Sequence, residues 1–188
     1  MVIPKIVTTR RVADAPNFKG GGSQLGKLEN DLRLLLRDTN AALVTTMIDY
    51  YGLPTDFPAP PMPATISCYE KVKRYEEAFA AKINHARFLP FLMLHEFEAL
   101  LFTNPRTLAQ PFLENDQTEP LQKIRDQYAS PEEIDDSPDT APSKRIMKLL
   151  PGYRKRQHGV IVAQDIGIAA MRTACPHFNE WLTKLEQL

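Results

Sequence analysis

The chain has 188 residues, and its 43% hydrophobic content is enough for one substantial core, so we predict a single domain. It carries 23 Lys and Arg against 23 Asp and Glu, and this net charge of 0 gives no overall attraction for nucleic acid or an anionic membrane. Two cysteines are too few for a disulfide framework, and no apolar run approaches the roughly 20 residues of a membrane span, so we predict a cytoplasmic protein without a membrane partner.

The first stretch with a structural pattern is residues 3–9, which are short, apolar and β-branched and predict a strand. Residues 10–23 follow as a loop that ends in Gly-Gly-Gly-Ser. This glycine run fits neither a P-loop nor a dinucleotide fingerprint, so a flexible connection is the expected role. From Leu25 the apolar residues follow helical spacing, which predicts an amphipathic helix before the next strand.

Residues 41–49 form the stretch around which we expect the fold to be organised. Their run from Leu43 to Ile48 is apolar and β-branched without alternation, as is typical of a strand buried on both faces of a parallel sheet. The run ends at Asp49. Ligands of open α/β sheets bind at the carboxyl ends of the strands, which makes Asp49 a candidate site residue.

A second apolar run, residues 88–94, repeats this arrangement and is followed by Glu96 and Glu98. Between the two runs lie a proline-rich connection and a helix that we expect to be capped by Thr65 and to continue to about residue 84. The resulting alternation of strands and helices predicts a mostly parallel sheet flanked by helices.

Asp49, Glu96 and Glu98 would then meet at one edge of the sheet, where hard oxygen ligands suit Mg²⁺ or Mn²⁺ beside a phosphate. Glu96 and Glu98 share a face only on extended backbone, since on a helix they diverge by about 200°. The alternative is that both glutamates simply favour a helix N-terminus electrostatically.

Beyond residue 102 the pattern becomes mainly helical, so we divide the single domain of residues 1–188 into an α/β core at 1–102 and a helical extension at 103–188. An acidic loop around residues 132–139 is followed by a segment without acids, in which Ser143 is expected to cap a helix. Two closing helices are predicted at 164–174 and 178–187. The basic residues of this segment, which we call the basic segment, are candidates for contacts with nucleic-acid phosphates: Lys144, Arg145, Lys148, Arg154, Lys155 and Arg156.

Four stretches carry a resemblance to a known family: VTTMIDYYGLPTDFP at 44–58, RFLPFLMLHEFEALLF at 87–102, SPDTAPSKRI at 137–146 with YRKRQHG at 153–159, and CPHFNEWL at 175–182. They resemble a bacterial family of unknown function, number 4276, which is similar to the Toprim domains of topoisomerases, primases and OLD-type nucleases. The resemblance implies a Rossmann-like fold in which Asp49, Glu96 and Glu98 bind Mg²⁺ and act in catalysis. It also implies that Lys155 lies near the scissile phosphate.

Two departures from the Toprim pattern stand out. The second aspartate of its DxD motif is replaced by Tyr51, and its first strand with a catalytic glutamate has no counterpart here. We therefore expect the first strand to be missing and the chain to be inactive or incomplete in this form. The true start of the gene could lie upstream, or a homodimer or partner ATPase could cover the open sheet edge.

The expected function is a Toprim-like, Mg²⁺-dependent nuclease or phosphotransfer protein that acts on DNA or RNA in genome defence. Two alternatives remain open. One is a non-catalytic module that binds nucleic acid or interacts with a partner ATPase, and the other is a protein whose acids bind a small phosphorylated metabolite. Metal-dependent cleavage of DNA or RNA would distinguish the nuclease from the non-catalytic module. A nucleic-acid binding assay with a salt titration would help to exclude the metabolite-binding protein.

Overall fold

The computed structural model describes residues 2–5, 24–134 and 140–188. The described helices and strands are, in order, α1 Gln24–Leu36, β1 Val44–Thr45, β2 Ile48–Asp49, α2 Cys68–Ile83, β3 Phe88–Leu89, β4 Leu92–Met93, α3 Pro105–Ala109, α4 Thr118–Arg125, α5 Pro142–Leu149, α6 His158–Ile166, α7 Ile168–Ala174 and α8 Pro176–Glu186. Short 3₁₀ turns occur at Tyr50–Gly52, Phe97–Thr103, Gln110–Asn115 and Pro131–Glu133. Residues 2–5 form neither helix nor strand, and the rest of the strand predicted at 3–9 lies outside the described residues, as does the glycine run.

The strands pair in parallel, as the apolar runs predicted, and the chain belongs to the α/β class. β1 pairs with β3 and β2 with β4 in one common register, with Val44 opposite Phe88 and Ile48 opposite Leu92. The two pairs are interrupted at Pro90, which has no N–H to donate to a ladder. The Thr46 hydroxyl bridges the interruption by bonding both the N–H and the carbonyl of Phe91, at 3.0 and 3.2 Å.

β4 and its neighbours separate two hydrophobic cores. Phe91 and Met93 belong to one core, and Leu92 and Leu94 belong to the other, because successive side chains of a strand point to opposite faces. The core around Leu92 is filled by apolar residues of α1 and α2, whereas the core around Phe91 is filled mainly by the helices after residue 100. Helices therefore cover both faces of the paired strands.

Several helix boundaries differ from the sequence-based predictions, including that of α8, which begins at Pro176 rather than at 178. The cap of α2 is Ser67 rather than Thr65, and its side chain accepts a hydrogen bond of 3.1 Å from the N–H of Glu70. The helix predicted at 164–174 is two helices, because Gly167 adopts a positive φ of 78° at the junction of α6 and α7. α6 also begins earlier, at His158. None of the described helices is long and apolar enough to cross a bilayer.

Candidate functional site

The acids Asp49, Glu96 and Glu98 follow the two paired strands at their carboxyl ends. Asp49 is the last residue of β2 and lies opposite Met93, the last residue of β4. Glu96 follows β4 after two intervening residues and has extended backbone, with φ of −139° and ψ of 156°. Glu98 lies in the 3₁₀ turn that begins at Phe97. Glu96 therefore precedes the junction between strand and turn, whereas Glu98 lies inside the turn. The two glutamates do not lie on one extended segment, which is what a shared face would require.

A hydrogen bond to the Asp49 side chain joins the end of β2 to the turn after β4. Oδ1 of Asp49 accepts a bond of 3.0 Å from the N–H of Phe97, the first residue of the 3₁₀ turn. The first N–H groups of a helical turn have no acceptor inside the turn, and a carboxylate satisfies such a donor well. Asp49 therefore both ends its own strand and fixes the position of the turn that carries Glu98.

Glu96 is held by a second helix N-terminus. Its Oε2 accepts a hydrogen bond of 3.0 Å from the N–H of Ser143, in the first turn of α5. Ser143 was predicted to be the N-cap of this helix, but α5 begins at Pro142 and Ser143 lies inside the first turn. The proline starts the helix one residue early because its fixed φ suits the first helical position. The α5 N-terminus stabilises the Glu96 carboxylate.

Lys155 brings a positive charge to both glutamates. Its Nζ lies 3.5 Å from Oε1 of Glu96 and 3.4 Å from Oε2 of Glu98. The two carboxylate side chains are 7% and 5% exposed, whereas the lysine side chain is 45% exposed. We call Asp49, Glu96, Glu98 and Lys155 the acid–lysine cluster. Its lysine lies on the solvent side of two nearly buried acids.

Burial and neighbouring carboxylates raise the pKa values of Asp49 and Glu98. Burial is the main reason that the pKa of Asp49 is raised to about 6, and the charges of Glu98 and Glu96 add to the effect. The Phe97 N–H and Lys155 act in the opposite direction. Burial also raises the pKa of Glu98, which Glu96 raises further and Lys155 lowers. Groups with such perturbed pKa values are concentrated at functional sites.

The donor set suits a divalent cation, because three carboxylates supply the hard oxygen ligands that Mg²⁺ and Mn²⁺ prefer. As the side chains of the described residues are placed, however, no three of His, Cys, Asp or Glu are grouped to hold one ion. The ammonium of Lys155 neutralises two of the carboxylates instead. A cation would have to displace it from Glu96 and Glu98, so the metal site stays a prediction.

The basic segment is only partly free at the surface. Five of its six residues have exposed side chains, namely Lys144, Lys148, Arg154, Lys155 and Arg156. Arg145 is partly buried, and its guanidinium donates to the Tyr128 hydroxyl at 3.0 Å. The geometry therefore favours the other five residues for contact with phosphates, while Arg145 has a structural partner.

The acidic loop, in the part that the structure describes, is not simply a solvent-exposed partner of the basic segment. Glu132 is 1% exposed, and its two oxygens accept hydrogen bonds from the N–H groups of His177 and Phe178 at 2.9 and 3.0 Å. It thus caps α8. Asp135, Asp136 and Asp139 lie outside the described residues.

The sequence analysis missed Tyr153, which lies two residues before Lys155. It is 5% exposed, and its hydroxyl has no hydrogen-bond partner among the described residues. Burial raises the pKa of Tyr153, and the charges of Glu98 and Glu96 raise it further, so the hydroxyl stays protonated beside the acid–lysine cluster. Nothing in the sequence pattern around Tyr153, which follows a glycine and precedes basic residues, indicates that it lies beside the acid–lysine cluster.

Comparison with known proteins yields one match. A family model described as "Domain of unknown function (DUF4276)" matches residues 1–186. Neither a curated protein nor a solved structure matches the chain.

Proposed function

The chain belongs to the DUF4276 family, and we propose that it is a Toprim-like, divalent-metal-dependent nuclease or phosphotransfer protein that acts on nucleic acid, with a role in genome defence. The observation that supports this proposal most is the acid–lysine cluster. It unites three carboxylates and one ammonium at the carboxyl ends of two parallel strands. Such edges are where open α/β sheets bind their ligands.

In this proposal Asp49, Glu96 and Glu98 hold Mg²⁺ or Mn²⁺, which would neutralise the charge that develops on a phosphate during transfer. Lys155 leaves the two glutamates and binds a phosphate oxygen. Its contacts of 3.4–3.5 Å are longer than close charge-assisted hydrogen bonds, and its side chain is 45% exposed, and both features favour such a movement.

A test of this function is cleavage of labelled single-stranded DNA, duplex DNA and RNA in the presence of Mg²⁺ or Mn²⁺. The sequence predicts that this form of the chain is inactive or incomplete, so the assay asks whether cleavage depends on the site. Any cleavage should be abolished by a chelator and by Asp49→Asn, which keeps the shape and the Phe97 hydrogen bond but removes the charge. Asp56→Asn is a matched control, because this aspartate lies in an exposed part of the connection after β2. Cleavage that survives Asp49→Asn would contradict the assignment.

A second candidate is a non-catalytic module that binds nucleic acid or a partner ATPase. The observation in its favour is that Lys155 already neutralises Glu96 and Glu98, as a protein that had lost its metal would require. In the same assay this module would bind nucleic acid through the basic segment without cleaving it under any metal condition.

A further inference from the structure

The N-terminus of α6 combines several hydrogen-bond donors. α6 runs over nine residues from His158, and the N–H groups of Gly159 and Val160 lie in its first turn. The first N–H groups of a helix have no acceptor within the helix and carry the positive end of its dipole. Arg154, Lys155 and Arg156 lie two to four residues before this turn and have exposed side chains.

A buried hydroxyl adds an independent sign of a ligand at this turn. The Tyr153 hydroxyl, which has no hydrogen-bond partner among the described residues, lies against Gly159. A Cβ atom at Gly159 would be only 2.9 Å from this hydroxyl oxygen, closer than Cβ atoms come in proteins. A buried hydroxyl without a partner is unfavourable, and a bound acceptor would remove that penalty.

The histidine of this turn, His158, is a further hydrogen-bond donor. Nδ1 of His158 accepts a hydrogen bond of 2.9 Å from the N–H of Arg154, so a neutral His158 carries its proton on Nε2. The nearby acceptors, the Glu96 and Glu98 carboxylates, are already engaged by the Ser143 N–H and by Lys155. A ligand that supplies acceptors rather than donors is therefore the one that fits.

We propose that the first turn of α6, with the Tyr153 hydroxyl, the Gly159 and Val160 N–H groups and Lys155, is a binding site for a phosphate group. Phosphate oxygens are strong acceptors, and helix N-termini are common phosphate sites. Gly159 is required because any side chain there would displace the hydroxyl. The site deepens the proposed function, on which it rests for the source of the phosphate, by placing the substrate phosphate beside the acids.

Two substitutions test the site through binding alone. Tyr153→Phe removes only the hydroxyl, and Gly159→Ala places a methyl group 2.9 Å from that hydroxyl and so forces it to shift. Binding of inorganic phosphate, followed by ³¹P NMR in a metal-free buffer with chelator, should weaken about tenfold in Tyr153→Phe, as expected for one hydrogen bond to a charged group. It should weaken at least as much in Gly159→Ala.

Matched controls exist for both substitutions. Tyr51→Phe removes a hydroxyl from a tyrosine that is 44% exposed, and Gly26→Ala adds a methyl group where nothing lies within 4 Å. Both should bind phosphate like the wild type. Circular dichroism would identify a Gly159→Ala protein that fails to fold, in which case Tyr153→Phe alone decides. Phosphate binding unchanged in Tyr153→Phe, or absent from the folded wild type, would overturn the proposal.

A single-stranded DNA oligonucleotide, titrated under the same metal-free conditions, distinguishes the source of the phosphate. A weakening of oligonucleotide binding by Tyr153→Phe assigns the site to a phosphodiester backbone. A weakening confined to inorganic phosphate assigns it to a small phosphorylated molecule. Because neither titration contains metal, phosphate binding that depends on Tyr153 would stand even if metal-dependent cleavage were never found, and the reverse also holds.

Discussion

Oδ1 of Asp49 accepts a 3.0 Å hydrogen bond from the N–H of Phe97, 48 residues further along the chain. This bond joins the end of β2 to the turn after β4 and brings Asp49 within electrostatic reach of Glu96 and Glu98. The arrangement is favourable for binding a cation and unfavourable for the stability of the cation-free fold. Removing a charge from the cluster should therefore change the stability of the cation-free protein.

We expect Asp49→Asn to stabilise the protein above pH 6. The folded pKa of about 6 exceeds the ordinary value of 3.8, so ionisation of Asp49 disfavours the folded state as pH rises. The wild type should lose stability relative to the variant between about pH 4 and 6, and the difference should then level off. Its full size should be about 1–2 kcal/mol, below the roughly 3 kcal/mol that two pKa units represent, because solvent screens the site.

Urea unfolding of both proteins at a series of pH values measures this difference directly. Asparagine keeps an oxygen for the Phe97 N–H, so the comparison isolates the charge. A variant that is less stable than the wild type at pH 8 would mean that the ionised carboxylate has a net structural role.

Lys155→Met should destabilise the metal-free protein at pH 8 by about 1 kcal/mol, because two nearly buried carboxylates lose their counter-charge while the exposed lysine limits the effect. Added Mn²⁺ should restore the loss if the cation occupies the same place, since a ligand of the folded state raises stability. Lys184→Met, which breaks an exposed pair with Glu180, is the matched control and should change stability by less than about 0.5 kcal/mol with no response to Mn²⁺. Equal stability of the Lys155→Met protein and the wild type would contradict the electrostatic description of the cluster.

His177 provides a prediction away from the site. Its Nε2 lies 3.0 Å from Oε1 of Glu76 and 3.1 Å from the carbonyl of Leu92, on β4. Burial lowers the pKa of His177, but the Glu76 hydrogen bond and the charges of Glu76 and Glu132 outweigh it, so the net pKa is raised. A raised histidine pKa stabilises the fold fully below pH 6.5, and this contribution is lost as pH rises through the folded pKa.

The stability difference between the wild type and His177→Gln should therefore shrink as pH increases above 6.5, as measured by thermal or urea unfolding. His85→Gln, at an exposed histidine, should show no such trend. A difference for His177→Gln that is constant from pH 5 to 9 would show that the histidine acts by packing alone.

The basic segment is tested without disturbing the acid–lysine cluster by the double variant Arg154→Gln and Arg156→Gln. If both guanidinium groups contact phosphates, the slope of log affinity against log salt should decrease by about 0.7–0.9 for each, and affinity should fall. The matched control replaces Lys27 and Lys73, which are exposed on α1 and α2, with glutamine for the same change in charge. Equal effects of both double variants would point to overall charge rather than to this segment.

The sequence predicted the strand ends of the site because apolar, β-branched runs indicate parallel strands, and Asp49 and Glu96 lie at or shortly after the ends of such runs. The prediction that the first run is buried on both faces was wrong, because Met47 is 46% exposed. It could not predict from local pattern that Lys155 would contact Glu98 across 57 residues, because that contact depends on how the later helices pack on the sheet. The resemblance to the family pointed to Lys155, but only the fold gives its partners.

Other differences have local causes. Thr65 and Ser67 are both acceptable helix caps, and only the observed hydrogen bond to Glu70 selects Ser67. Gly167 was available as a stop signal in the sequence, but the apolar run across it resembled one helix. Val160 and Ile161 lie in α6 but before the predicted helix start at 164. These two side chains and that of Ile168 are exposed, and burial cannot be read from residue type alone.

The central claim is that Asp49, Glu96 and Glu98 hold one divalent cation, and Mn²⁺ binding measured by electron paramagnetic resonance tests it most directly. We predict that the wild type binds one Mn²⁺ in competition with Mg²⁺ and that Asp49→Asn and Glu98→Gln each weaken binding by at least about tenfold, with Asp56→Asn unchanged. Folded wild-type protein that binds no Mn²⁺, or Mn²⁺ binding that is the same in Asp49→Asn and Glu98→Gln, would contradict the claim.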